Sequence, residues 1–195
     1  MLIRTVAPTG SILSTAEAKT HIRQTFADVT EDAYIDSLVL AVTQEAEMYT
    51  NRAFLTQTWK LFLDWFPDCD TIDIPLGPIQ SITHLKYYNE VGSLITMNPS
   101  LYQTDIISEP GRIKLSPGSF SWPSIQPDKA NAVEIQFVAG YGAAAAVPEG
   151  IKRAVSLAVG SLYSNREDEI TSSSVNKFDR TCERMLYPYR IFRFP

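Results

Sequence analysis

The spacing of apolar residues changes period twice along the chain, giving helical patterns at the ends and a β-type pattern in the middle. The first element opens at Ser14-Thr15-Ala16-Glu17. Ser14 can accept from the backbone N–H three residues on while Glu17 reaches back, the reciprocal arrangement of a capping box. A helix over about 14–24 follows. Glu31 and Asp32 then supply negative charge suited to the positive end of a second helix, over about 31–52. Within it Ile35, Leu38, Val39, Val42, Ala46 and Tyr49 recur at spacings of three and four and share one stripe. Asp36, Gln44 and Glu45 face away from that stripe.

From Leu55 the period shortens to two. Leu55, Trp59, Leu61 and Leu63 alternate with Thr56, Thr58, Lys60 and Asp64, as in a half-buried strand, with Phe62 out of step. Turn residues then recur at Pro67-Asp68, Pro75, Gly77-Pro78, Asn89–Gly92, Asn98-Pro99, Pro110-Gly111 and Pro117-Gly118. The runs 71–74, 79–88, 101–107, 111–115 and 131–139 between and after them read as strands. The last puts Val133, Ile135 and Phe137 on one face and Glu134 and Gln136 on the other. Such short connections fit antiparallel hairpins, because parallel pairing needs crossovers of about a dozen residues.

Helical period returns at Pro148, which is expected at the first helical position, where a missing N–H costs nothing. Ile151, Ala154, Val155, Ala158, Val159 and Leu162 form a second stripe over about 148–164. Gly160 inside this helix costs about 1 kcal/mol relative to alanine, which points to a neighbouring helix in close approach. A polar loop over 165–176, a last helix over about 177–187 and an aromatic tail over 189–195 complete the chain. The expected fold class is α+β, mainly an α-helical bundle of four helices with a central antiparallel β insertion over about 55–139, in one domain spanning 1–195.

Composition narrows the function by exclusion. Of 195 residues 45% are apolar and 20% charged, the balance of a folded domain and not of a disordered chain. Seventeen Lys and Arg against 22 Asp and Glu leave a net charge of −5, so the basic footprint of a nucleic-acid binder is missing. The sequence contains no apolar run long enough to span a membrane, and Met1-Leu2-Ile3-Arg4 lacks the order of a secretion signal. Cys69 and Cys182 have neither metal-site nor redox spacing and are expected as buried free thiols in a reducing compartment.

Candidate chemistry is sparse. His21 and His84 fall on different elements and match no ligand spacing. Asp68, Asp70 and Asp73 form the one close carboxylate cluster, but a calcium loop also needs a sharp-turn glycine and a terminal glutamate, and the cluster reads as a solvated turn. No Gly-x-Ser-x-Gly elbow occurs, and Gly140-Tyr141-Gly142 lacks the lysine of a phosphate loop. Its glycines suit a tight turn out of the last strand. No catalytic residue, cofactor or metal is therefore expected. Trp59, Trp65 and Trp122 leave open a carbohydrate-binding module or an enzyme built on an indole platform. The tail is distinctive, since Tyr187, Tyr189, Phe192 and Phe194 with Arg190 and Arg193 are the residue types enriched at interface hot spots. Such an end either folds back to cap its own core or docks on another chain.

Several motifs then read together. Leu13–Lys19 leads to a helix ending Tyr49-Thr50-Asn51-Arg52-Ala53-Phe54-Leu55-Thr56-Gln57-Thr58-Trp59, followed by Ile74-Pro75-Leu76-Gly77-Pro78-Ile79-Gln80-Ser81-Ile82 and Pro110-Gly111-Arg112-Ile113. Trp122-Pro123, Phe137-Val138-Ala139-Gly140-Tyr141-Gly142 and Val147–Lys152 complete the order. Over roughly Leu13 to Arg190 this set resembles the head–tail connector (adaptor) proteins of long-tailed double-stranded DNA phages, prophages and gene transfer agents. The resemblance implies a structural, non-enzymatic protein of the virion neck, assembled in the bacterial cytoplasm without a membrane. It implies a homo-oligomeric ring of about twelve copies below the portal. That ring would extend the DNA channel, letting DNA pass without specific binding, and dock the next neck or tail protein. A tail-completion or other neck protein would share this architecture. Ile191–Pro195 falls outside the family pattern. On the docking reading, Tyr189, Arg190, Ile191, Phe192, Arg193 and Phe194 are the expected portal-binding residues.

Overall fold

The computed structural model describes residues 1–25, 27–119, 121–165 and 180–192, and these form two compact units of about half the chain each. One comprises Met1–Pro8 with Thr56–Tyr141, the other Thr9–Leu55 with Gly142–Phe192.

The regular structure of the first unit is β apart from one 3-10 turn at Pro99–Leu101. Its strands are β1 (Leu2–Val6), β2 (Gln57–Leu63), β3 (Thr71–Ile74), β4 (Ile79–Tyr88), β5 (Leu94–Thr96), β6 (Tyr102–Asp105), β7 (Gly111–Leu115) and β8 (Val133–Ala139). They make a five-stranded sheet in the order β1-β2-β8-β4-β5 and a three-stranded sheet in the order β3-β7-β6, with every pairing between them antiparallel. β8 lies at the centre of the larger sheet, opposite β2 on one side (Leu61 against Ile135) and β4 on the other (Leu85 against Ile135). Its Val133, Ile135, Phe137 and Ala139 are buried on one face, as a period of two requires. Ile72, Ile74, Ile113 and Leu115 supply buried residues from the smaller sheet. The two sheets meet where Gly111 of β7 lies so close to Ile79 that a Cβ would stand 2.8 Å from its Cγ1.

This arrangement corrects the expected fold class. The molecule is a mixed protein with eight strands in two sheets and four α-helices among the described residues, and not a helical bundle carrying a β insertion. An insertion borrows its core from its host, whereas these strands enclose their own. β1 was not foreseen, because four of its five residues are exposed and it lies at a sheet edge. β5 is three exposed residues and gives no periodic signal either.

The hairpin of β6 and β7 is held by one carboxylate. Asp105 Oδ1 accepts from the backbone N–H groups of Ile107 (3.1 Å) and Ser108 (3.0 Å). Its Oδ2 accepts from Ser108 Oγ (2.7 Å) and Arg112 Nε (3.0 Å). The side chain thus substitutes for the backbone partners the loop lacks, and Ile107 at its tip is left 92% exposed.

The second unit holds α1 (Thr15–Ile22), α2 (Asp32–Thr50), α3 (Glu149–Ser164) and α4 (Arg180–Leu186). Ser14 and Glu17 form the reciprocal capping box ahead of α1. Ile35, Val39, Val42 and Ala46 of α2 are buried, as are Ile151, Ala154, Val155, Ala158 and Val159 of α3 and Cys182 and Leu186 of α4. Pro148 sits one residue before α3 as its cap, with φ −54° and ψ 137°, and not inside the first turn. Gly160 faces His21 of α1, whose ring atoms would lie 3.3 Å from an added Cβ, so the helical cost of this glycine is offset by a close approach. Lys19, almost fully buried, forms an ion pair with Asp32 in the first turn of α2 and joins α1 to that helix. From residue 166 the expected polar loop lies outside the described residues.

Candidate docking site

The C-terminal segment of the helical unit is positioned by the end of α2. Asn51 takes a left-handed conformation (φ 54°) and ends the helix, which leaves its side chain free to turn towards the segment. Asn51 Nδ2 donates to the carbonyl of Ile191 (2.9 Å), the Ile191 N–H donates to the Thr50 carbonyl (2.9 Å), and Arg52 Nε donates to the Tyr189 carbonyl. Ile191 is buried as a core residue. Tyr189 lies against the start of α3, where a Cβ on Gly150 would stand 2.7 Å from its hydroxyl oxygen.

Outward from this backbone lies a different surface. The Arg190 guanidinium stands 5.1 Å from the Tyr49 ring and 5.5 Å from the Phe192 ring. Tyr187 and Phe192 meet edge to face at 5.6 Å, and these two rings are 55% and 45% exposed. Of the six residues expected to bind a partner, Tyr189 and Ile191 therefore engage their own unit, while Arg190 and Phe192 stay at the surface with Tyr187. Arg193 and Phe194 lie outside the described residues. Sequence reading did not find the Thr50–Arg52 clamp. Its signal was the Asn-Arg pair just past the helix end, whose side-chain donors turn to the segment.

In the β unit a cleft of about 460 Å³ is bordered by Trp65, Phe66, Asp68, Asp70, Trp122 and Pro123 among others. Trp122 stacks on Phe66 at 5.0 Å with the planes 4° apart, and its Nε1 donates to the Cys69 carbonyl (2.8 Å). Phe66 in turn meets Tyr87 edge to face at 6.0 Å. Trp65 projects with 71% of its surface exposed. Trp59 is not part of this cleft and lies 5.9 Å from the Arg4 guanidinium, so the three indoles form no single platform.

Asp68 and Asp70 line the cleft, whereas Asp73 lies in β3 opposite Arg112. Asp70 accepts from Thr71 Oγ1 (3.0 Å) and pairs with Lys114 (3.3 Å). These hydrogen bonds, from Thr71 first and then Lys114, hold its carboxyl below the usual range. No group of three His, Cys, Asp or Glu residues is arranged to hold a metal ion among the described residues. His84 Nε2 lies 3.0 Å from a Glu134 oxygen that also receives Lys60 Nζ at 2.8 Å. Burial pushes the Glu134 carboxyl up, and these partners outweigh it and leave the group below its ordinary value. Cys182 is buried as expected, but Cys69 is exposed. Gly140 and Gly142 take φ of 127° and 123° in the turn leaving β8, a conformation that favours glycine. No described helix is long and apolar enough to cross a membrane.

No family model matches the chain, and no curated relative does. Solved structures match it from end to end. A component of the neck of an empty gene transfer agent particle, computed with C6 symmetry, aligns with a TM-score of 0.82 at 25% identity, covering 100% of this chain and 97% of the other. A component of the virion of a native gene transfer agent particle gives the same values. A component of the native particle's neck, computed with C12 symmetry, aligns at 0.73 and 21% identity over the same shares and speaks to the fold alone. Over its whole length, then, the chain is similar to components of the neck and virion of a gene transfer agent particle.

Proposed function

We propose that the protein is a head–tail connector of a phage-like particle. It forms a homo-oligomeric ring under the portal, extends the DNA channel and docks the next neck or tail protein. The observation that carries this reading is the end-to-end likeness to a neck component at a TM-score of 0.82. The symmetry of those necks supports a ring, and closing a ring through one heterologous contact requires two different patches on each copy. Net charge fits the role as well. About twelve copies at −5 each sum to roughly −60, a field that lets DNA slide past instead of gripping it.

In this reading the C-terminal segment divides its work. Tyr189 and Ile191 fasten it to its own unit, and Arg190, Phe192, Arg193 and Phe194 meet the portal. Fully burying one phenylalanine ring is worth about 1.5–3 kcal/mol, and Phe192, 45% exposed before docking, would contribute roughly half of that. The reaction class is none, since the part is architectural. The test is mass photometry of the purified chain alone and with the particle's portal protein. A ring is expected in at least one condition, and a monomer in both would overturn the proposal. A chain ending at Ile191, which keeps the buried residue, should retain its melting temperature and its ring but lose the portal.

A further inference from the structure

We propose that the cleft between Trp65 and Trp122 is a docking site for an extended, arginine-bearing peptide segment of another protein. Trp65 is 71% exposed, a large apolar area left in water at the mouth of a concave site of about 460 Å³. Indole faces and guanidinium planes attract each other, and tryptophan is among the residues most enriched at binding hot spots. Other parts of the lining are held in place. Trp122 is fixed by its stack on Phe66 and by the hydrogen bond from its Nε1 to the Cys69 carbonyl, and the Leu115 N–H donates to the Asp70 carbonyl (2.9 Å).

Charge selects the ligand. Asp68 and Asp70 border the cleft and Lys114 pairs with Asp70 at 3.3 Å, so one acidic charge remains in excess to meet a cation. Pro67 and Pro123 line the same walls and offer no backbone donors, which suits a ligand lying extended across aromatic rings, as in aromatic-lined grooves for polyproline-type segments. The geometry carries the peptide class. That the peptide belongs to an adjoining neck protein rests on the function proposed above.

The test uses the full chain and the peptide acetyl-Pro-Arg-Pro-Pro-Arg-Pro-amide, followed by tryptophan fluorescence and calorimetry. Saturable binding is expected. Replacing both arginines by citrulline, which keeps the shape and removes the charge, should weaken it at least tenfold. Trp65→Ala and the double variant Asp68→Asn with Asp70→Asn should each do the same with an unchanged circular dichroism spectrum. No saturable binding, equal binding of the citrulline peptide, or saturation by chitohexaose in place of the peptide would each overturn the assignment. A peptide that binds while particles lacking the protein still join heads to tails would keep the cleft and remove the connector role.

Discussion

His21 shows what a single side chain contributes at a helix crossing. Its ring fills the space that Gly160 leaves on α3. Burial disfavours the imidazolium, and Arg153 adds like charge, so the group holds its proton less readily than a free histidine. The unfolded chain therefore binds that proton more readily than the folded one. Its contribution to stability is complete above the ordinary histidine value of about 6.5 and is lost as pH falls from there through the lower folded value. Denaturant titrations at two pH values on either side of 6.5 should show His21→Gln with a flatter pH dependence than the parent chain. The difference should be less than about 1 kcal/mol, because the ring is only partly buried and water screens its charge. An unchanged slope would remove His21 from the account. Residue-scale chemistry of this sort was only half legible in the sequence. The glycine's cost pointed to a close neighbour, but nothing in the spacing of His21 and Gly160 named the pair, since they lie on helices remote in sequence.

Individual elements were the most legible level. The runs 71–74, 79–88 and 111–115 coincide with β3, β4 and β7, because a period of two bounded by proline and glycine leaves few alternatives. What such patterns omit is the chemistry of the connections. Asp105 gathers four hydrogen bonds and fixes the loop between β6 and β7. The bonds from Ser108 hold its carboxyl well below the usual range; burial opposes them, and Arg112 and the Ile107 N–H add to them. Since the folded pKa is depressed, this support is full above the ordinary aspartate range and fades only in strong acid. Asp105→Ala should leave the strands paired and release the loop. Hydrogen exchange at the Ile107 and Ser108 amides should quicken at least tenfold at neutral pH, with β3 unaffected. Equal exchange in both proteins would mean that the loop is held by its backbone alone.

At the scale of the molecule the sequence reading failed where partners are far apart. Local periods identify strands and helices, but they do not reveal that residues 2–6 pair with residues 58–61, or that the strands form a body of their own. The aromatic cleft was equally hidden, since Phe66 and Trp122 meet from segments over fifty positions apart. One consequence can be measured. β1 covers the edge of β2, whose Gln57–Leu63 run is apolar and β-prone, and an uncovered edge invites pairing between molecules. Deleting Leu2–Val6 should lower stability by at least about 1 kcal/mol through lost hydrogen bonds and raise light scattering on warming. A deletion variant that melts and scatters like the parent would show that β1 protects nothing.

The same interleaving governs the order in which the protein is made. β1 leaves the ribosome ahead of the rest of its sheet, yet its partner β2 begins at Gln57, and β2 in turn needs β8, which ends at Ala139. Synthesis at about 5–20 residues per second separates the first strand from the completed sheet by roughly 7–27 seconds. Helices α1 and α2 emerge in that interval and must wait as well, because their packing partner α3 begins only at Glu149. The nascent chain thus carries both unfinished cores at once, the sheet waiting for Ala139 and the helices for Glu149.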